Sequence, residues 1–364
     1  MELGINNVQQ IPSRTKGQIL LYSGRGKGKS QISLGVALRM IGLGISQKMR
    51  NRVLIVRFLK GNDKGYSEDT ALRAIEDKYP HLVDVVNTGT GNHLSINNRD
   101  IKDFNEAKRG WEIAKGAIQS NLYSLVILDE LNPVLDLGLI HREEAIPFLN
   151  KFKKENYSTE LVITGVNPPS EIINLSDLHS EVLLRNQNSI LRTNLIENYI
   201  GTGKGKSTSA LGKVLKYVGD NKKVLIVQFL KGGKGYTEDA ALQALMESFP
   251  KKIDHYHCGR SVIVFKGKQE EADYLEAEKG WAIVKAGLKL DYDLIVLDEI
   301  NPTIDLELLN KDEVVETLKN SPICCDIITT GRAVSDIFYE ETYNISCHKH
   351  YSMAGVELRT GIDY

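Results

Sequence analysis

At 364 residues, with 41% hydrophobic and 26% charged side chains, the chain has room for two ordinary domains and the composition of an average globular protein. A formal charge of −1 supplies no electrostatic drive toward nucleic acid, and no apolar run reaches the ~18–20 residues of a membrane span. The four cysteines, Cys258, Cys324, Cys325 and Cys347, have no framework spacing, so a reducing cytoplasm is expected.

Met1 to Lys16 lacks the apolar stretch of a signal peptide and reads as a flexible arm. Ile19–Tyr22 is the first short apolar run, and Gly24-Arg25-Gly26-Lys27-Gly28-Lys29-Ser30 follows it. A helical pattern runs from Ser30 to Ile41. Val53–Phe58, Leu82–Val86, Leu125–Leu128 and Leu161–Ile163 are further runs rich in Val, Ile and Leu. Such runs suit strands buried on both faces. Between the last strands, Phe104, Ala107, Trp111, Ala114 and Ile118 recur at helical spacing, with Trp111 read as core. Alternating strands and helices predict a parallel sheet with helices on both faces.

Past a polar stretch at Arg185 to Thr193 the pattern starts again. Gly201-Thr202-Gly203-Lys204-Gly205-Lys206-Ser207 repeats the glycine-lysine loop, and Val224 to Gly232 repeats Val53 to Gly61 with Gln228 for Arg57. Gly235-Tyr236-Thr237-Glu238-Asp239 answers Gly65-Tyr66-Ser67-Glu68-Asp69, and Trp281 answers Trp111. Leu297-Asp298-Glu299-Ile300-Asn301-Pro302 answers Leu128 to Pro133. A unit of about 170 residues is far longer than the ~20–50 residues of a solenoid repeat, so this is a duplicated domain. The expected division is an arm at 1–16 and domains at 17–188 and 189–364. The first strand of the second copy carries the polar residues Glu197 and Asn198, which predicts an edge or shifted strand.

Each glycine-lysine loop follows a strand and opens a helix, the context of a phosphate cradle. Glycines let backbone N–H groups turn inward, and the helix N-terminus adds partial positive charge. Lys29 and Lys206 supply mobile charge, and Ser30 and Ser207 offer hydroxyls to Mg²⁺. The loop is short, with three residues between Gly24 and Gly28 where the common phosphate loop has four. The strands ending in Asp129-Glu130 and Asp298-Glu299 bring carboxylates to the same sheet edge, where one can hold Mg²⁺ directly or through water.

The shortened loop, the VLIVQFLKG strand, the DE-[LI]-N segment and the TG after a later strand together resemble the P-loop type of ATP:cob(I)alamin (cob(I)yrinic acid a,c-diamide) adenosyltransferase. The likeness covers nearly the whole chain, twice. It implies an α/β fold of two tandem P-loop NTPase (RecA-like) domains, with ATP, Mg²⁺ and a corrinoid as ligands. ATP would be held by Gly24 to Gln31 (Gly24, Arg25, Gly26, Lys27, Gly28, Lys29, Ser30, Gln31) and by Gly201 to Thr208. The implied chemistry is attack of cobalt(I) on the 5′ carbon of ATP with loss of triphosphate, ATP lying reversed relative to ordinary P-loop enzymes. No general base is then needed, and Lys29, Lys206, Mg²⁺ and Arg332 offset charge on the leaving group. Glu68 and Glu238 are expected at the ribose or metal-bound water, with a solvated helix start as the alternative.

The halves keep different parts of the family pattern. Asn167 to Glu181 resembles the segment after the last TG. The second half keeps Arg332 and the tail Gly355 to Tyr364. Gly259-Arg260 and Phe265-Lys266-Gly267 look like the corrinoid-side loop of some members, whereas no Phe, Trp or Tyr lies between Val83 and Ile101 in the first half. His93, His255 and His257 fall where a corrinoid could approach, and His257 is read as structural. Cys347-His348-Lys349-His350 lacks zinc-site spacing. Relatives act as dimers with a site near the interface, so the fusion is expected to form a pseudo-dimer, with further self-association left open. The implied partners are cob(I)alamin or a precursor and a reductase or flavodoxin-like electron donor. Two rivals stand beside this reading: a duplicated ATP- or corrinoid-binding protein that has lost catalysis, and a P-loop ATPase of another substrate.

Overall fold

The aliphatic runs align into one twelve-stranded sheet in the computed structural model, which describes residues 16–48, 51–61, 65–184, 196–233, 235–322, 324–332 and 345–352. The first half supplies β1 (Ile19–Ser23), β2 (Arg52–Phe58), β3 (Val83–Thr88), β4 (Tyr123–Asp129), β5 (Glu160–Thr164) and β6 (Leu178–Leu184). Their order is β3-β2-β4-β5-β1-β6, and every pairing is parallel. The second half supplies β7 (Ile196–Ile200), β8 (Val224–Phe229), β9 (Ile253–Cys258), β10 (Leu294–Asp298), β11 (Asp326–Thr330) and β12 (Ile345–Ser352). It runs β12-β7-β11-β10-β8-β9, the same topology in mirrored order and again parallel. β6 and β12 pair antiparallel, Val182 opposite His350, and fuse the two halves edge to edge.

One expectation needs correcting. β7 is neither an edge nor a shifted strand: it lies between β12 and β11 with all five residues buried. Its polar side chains are tolerated because each has a partner. Glu197 Oε2 lies 2.7 Å from Lys213 Nζ, and Asn198 Oδ1 accepts from Asn301 Nδ2 and Thr329 Oγ1, both at 2.9 Å. The joining strands β6 and β12 read LHSEVLL and ISCHKHYS, too polar to register as buried strands. The arm (except Lys16), the 185–195 junction and the C-terminal tail lie outside the described residues, as do the side chains of Cys347, His348 and His350.

Helices cover both faces. On one lie α1 (Lys29–Gln47), α2 (Ser67–Lys78), α7 (Lys206–Gly219) and α8 (Thr237–Ser248), packed against one another across the halves. They bury a single core that draws on both halves, including Ile55, Ile127, Leu211 and Val296. The other face carries α3 (Ile101–Ser120), α4 (Leu131–Asp136), α5 (Arg142–Lys154) and α6 (Ser170–Leu175) over a separate first-half core. Likewise α9 (Glu271–Gly287), α10 (Ile300–Asp305) and α11 (Lys311–Lys319) cover a second-half core. Trp111 and Trp281, 0% and 1% exposed, sit in these outer cores as their spacing predicts. No helix among the described residues is long and apolar enough to cross a membrane.

Glycine sets the distance between α1 and α7. A Cβ on Gly35 would run into the backbone carbonyl of Thr208, and one on Gly212 into that of Gln31, the equivalent residue of the other half. Overpacking of this kind costs about 1–3 kcal/mol. Gly35→Ala is therefore expected to lower the unfolding free energy by that amount. Gly116→Ala, on α3 with open space around it, is expected to raise it by about 0.5–1 kcal/mol. Denaturant titration distinguishes the two signs, and a stabilising Gly35→Ala would show that α1 and α7 do not touch.

Candidate functional site

The glycine-lysine loops sit where β1 and β7 hand over to α1 and α7, at the carboxyl edge of the sheet. Gly24, Gly28, Gly201 and Gly205 all hold left-handed backbone, with φ of 102°, 112°, 106° and 109°. Gly28 and Gly205 are the N-caps, with no capping side chain and no acidic residue in the first turn. Both helix termini thus keep their positive ends open to an anion. Lys29 Nζ donates to Gly26 O at 2.9 Å and Lys206 Nζ to Gly203 O at 2.6 Å, folding each ammonium over its own loop. Burial lowers both lysine pKa values, against the pull of the nearby acidic pairs.

Those acidic pairs end β4 and β10. Asp129 accepts from Lys60 Nζ at 2.9 Å and from Thr164 Oγ1 at 2.7 Å; Asp298 accepts from Lys231 Nζ at 2.8 Å and Thr330 Oγ1 at 2.6 Å. The threonines of the two TG pairs also receive the backbone N–H of Glu130 and Glu299, at 2.9 Å each. Their glycines, Gly165 and Gly331, let this turn close onto Pro133 and Pro302, where a Cβ would not fit. Glu130 and Glu299 hold left-handed backbone at φ 65° and 60°. Such strain costs about 1–3 kcal/mol and concentrates at functional sites.

Burial would raise the pKa of Asp298, yet the Lys231 ammonium holds it well below the usual carboxylate range. Glu299 goes the other way: burial and the adjacent Asp298 charge push it up. Its carboxyl is one that additional positive charge would stabilise. The Ser207 hydroxyl is among the groups that lower the Asp298 pKa. This hard oxygen set fits Mg²⁺.

The two loops differ in what faces them. The second lines a cavity of about 330 Å³ with Gly203, Lys206, Glu299, Arg332 and one residue of the first half, Arg39. Arg39 is 4% exposed; its Nη1 donates to Thr208 Oγ1 at 3.0 Å and its Nε lies 3.3 Å from Glu238. The repeat places Lys216 at the corresponding position of α7, and Lys216 is half-buried. In the first half the equivalent carboxylate, Glu68, is neutralised within its own half by Arg57 at 3.7 Å. There Gly26 N–H also donates to Val182 O at 2.8 Å, so one loop amide already has a partner.

Most of the expected site residues do converge. Lys29, Asp129 and Glu130 come together at one loop, and Lys206, Ser207, Asp298, Glu299 and Arg332 at the other. Arg25, Lys27 and Thr202 are exposed, and Lys204 is half-buried. Gln31 and Thr208 turn to the α1–α7 contact: Gln31 Oε1 lies 3.1 Å from Tyr199 Oη, and Thr208 meets Arg39. Glu68 and Glu238 are buried in ion pairs, 4% and 0% exposed, rather than at solvated helix starts. Beyond the second site, Val262, Ile263 and Phe265 are 52%, 81% and 62% exposed on the loop after β9. Arg260 pins that loop to α9 through Asp273 at 2.6 Å. Sequence reasoning missed Arg39, Lys60 and Lys231. The last two stand in the repeated FLKG block, which was a signal for them; Arg39 gives no such signal because α7 carries Lys216 there.

Glu238 ties the site to stability. Burial alone would raise its pKa, but Arg39 and Lys231 bring it down to about 2. A carboxyl lowered on folding stabilises the native state above its unfolded value, ~4.3, and loses that contribution as pH falls through the folded value. Glu238 is thus expected to contribute about 3 kcal/mol at neutral pH. Melting temperature should fall more steeply between pH ~4.5 and ~2 in the unmodified chain than in Glu238→Gln. Parallel curves would show that the pair carries no such linkage.

One family model, ATP:corrinoid adenosyltransferase BtuR/CobO/CobP, matches residues 15–187 and again residues 192–364. The chain is 46% identical to an uncharacterised protein of Nostoc sp. over 100% of this chain and 99% of that one. A corrinoid adenosyltransferase of Pseudomonas aeruginosa is 30% identical over 45% of this chain and 80% of its own. The corrinoid adenosyltransferase of Escherichia coli K12 is 31% identical over 46% of this chain and 83% of its own.

Proposed function

The chain belongs to the ATP:corrinoid adenosyltransferase family in both of its halves, and from that membership we propose that it transfers the 5′-deoxyadenosyl group of ATP to cobalt(I) of a corrinoid. The observation that carries this reading is the second-half cavity, where an open helix N-terminus, Lys206 and Arg332 meet Arg39 of the other half. Three cations around one anion-binding terminus suit a triphosphate.

In the proposed reaction cobalt(I) gives an electron pair to the 5′ carbon and the cobalt–carbon bond forms. The carbon–oxygen bond breaks, triphosphate leaves with its electron pair, and cobalt ends two electrons more oxidised. The nucleophile belongs to the substrate, so the protein's part is to position and to offset charge. Loop amides and Lys206 grip the polyphosphate, and Arg39 and Arg332 flank it. Ser207, Asp298 and Glu299 would hold Mg²⁺, which supplies further neutralisation of the leaving group. The exposed apolar loop at Val262 to Phe265 is the face offered to the corrinoid. In this reading fusion takes the place of dimerisation, and a reductase or flavodoxin-like donor keeps cobalt reduced.

The test is incubation with reduced cobalamin and Mg·ATP. A light-sensitive organocobalt product with inorganic triphosphate supports the reading. Orthophosphate release alone would make the protein an ATPase, and ligand binding without turnover a binding protein. For the first half the binding reading is favoured, because no Phe, Trp or Tyr lies between Val83 and Ile101.

A further inference from the structure

The duplication contains its own comparison, because each half shows what the other has changed. Strand register equates Val85 and Asn87 of β3 with His255 and His257 of β9, and Arg57 with Gln228. In the first half Arg57 Nη1 reaches Asp69 at 2.5 Å and supplies the positive charge that this carboxylate needs. The second half keeps the carboxylate as Asp239, removes the guanidinium and adds two imidazoles.

Those three side chains converge. His255 and His257 are two apart on a strand and share one face, β9 is the outermost strand of the sheet, and Asp239 stands in the first turn of α8 above it. One donor atom from each lies within 4.8 Å of the other two, and all three residues are half-buried. A divalent ion at ~2.0–2.1 Å from each ligand needs donors ~3.3 Å apart, a contraction within the reach of small side-chain rotations.

The hydrogen bonds around the cluster leave lone pairs available. Asp298 only accepts, so Gln228 Nε2 donates to it at 3.0 Å and Gln228 Oε1 faces the other way. That oxygen also only accepts, so His255 Nε2, 2.8 Å away, carries the proton and Nδ1 keeps its lone pair. His257 Nε2 lies 3.1 Å from Asp239 Oδ1, while His257 Nδ1 is buried with no hydrogen-bond partner. For His255, Gln228 Oε1 is the acceptor that ordinarily fixes the second nitrogen of a metal-ligating histidine. Lys231 is nearby, but its charge is matched by Asp298 at 2.8 Å and Glu238 at 3.6 Å.

From this juxtaposition we propose that Asp239, His255 and His257 form a binding site for a divalent late transition metal, zinc in the first place, that the first half does not have. Two imidazoles and one carboxylate are the donor set of such ions and not of Mg²⁺. The ion takes over the charge that Arg57 supplies in the first half, and it fastens α8 to the outer strand.

The experiment uses the full chain, stripped with a chelator and titrated with Zn²⁺ against a chromogenic competitor, with Co²⁺ as a spectroscopic probe. One equivalent is expected to bind with a dissociation constant below about 1 μM, and Co²⁺ to show the visible bands of a low-coordinate nitrogen–oxygen site. Replacing both histidines by their first-half counterparts, His255→Val with His257→Asn, is expected to weaken binding at least about 100-fold. Gln228→Arg, which restores the guanidinium, is expected to do the same while leaving both histidines in place. Zinc binding retained in both variants overturns the proposal. So does failure of the unmodified chain to bind an equivalent below about 10 μM. None of these readouts depends on adenosyl transfer.

Discussion

If the chain adenosylates corrinoids as proposed, Lys206→Ala is expected to lower that activity by about 10²–10³-fold, the loss that follows removal of one preorganised charge at a leaving group. Lys29→Ala is expected to lower it by less than about tenfold. The two lysines occupy equivalent places on equivalent loops, so the difference must come from what surrounds them. Lys206 is 9% exposed and shares its cavity with Arg39 and Arg332. For Lys29 the position equivalent to Arg39 is occupied by Lys216 of α7, a lysine in place of an arginine. The rate of cobalt–carbon bond formation under single-turnover conditions checks the prediction. Equal losses in the two variants would reject the second half as the working site. Nucleotide binding measured alongside would show whether the first half still holds ATP.

Arg39→Ala is expected to be as damaging to turnover as Lys206→Ala, although it lies in the other half of the chain. It should also destabilise the fold by about 3–5 kcal/mol, because Glu238 would be left buried without its guanidinium. The two effects separate in the double variant Arg39→Ala with Glu238→Gln. There the uncompensated charge is gone, so thermal stability should largely return while adenosylation stays about 100-fold down. Recovery of both would make Arg39 a structural residue only. Lys216→Ala, at the equivalent position of α7, should alter neither by more than about twofold, as fits a half-buried side chain away from the cavity.

The strands that became the inner sheet were legible because a strand buried on both faces must be aliphatic almost throughout. Ile19–Tyr22, Val53–Phe58, Leu125–Leu128 and Leu161–Ile163 all fall within β1, β2, β4 and β5. The glycine-lysine loops were legible because left-handed backbone and close approach to a ligand demand glycine. β6 and β12 were not, since each meets its neighbours by backbone hydrogen bonds that any sequence can make. β7 misled for a related reason. Glu197 and Asn198 look like edge residues until Lys213, Asn301 and Thr329 arrive from elsewhere in the fold to pair with them.

By itself, then, the order of residues determined the duplication, the parallel α/β halves, the two glycine-lysine loops and the acidic pairs beside them, because each is written within one short stretch of chain. Which residues gather around the second loop only the tertiary structure decided. Arg39 is an ordinary helical arginine in the sequence, and it acquires a role when glycines at 35 and 212 let α1 and α7 approach closely enough for it to reach Thr208 and Glu238. The same holds for Asp239, His255 and His257. Their convergence depends on strand register and on the helix laid over the sheet edge, and long-range contacts of that kind leave no local pattern to read.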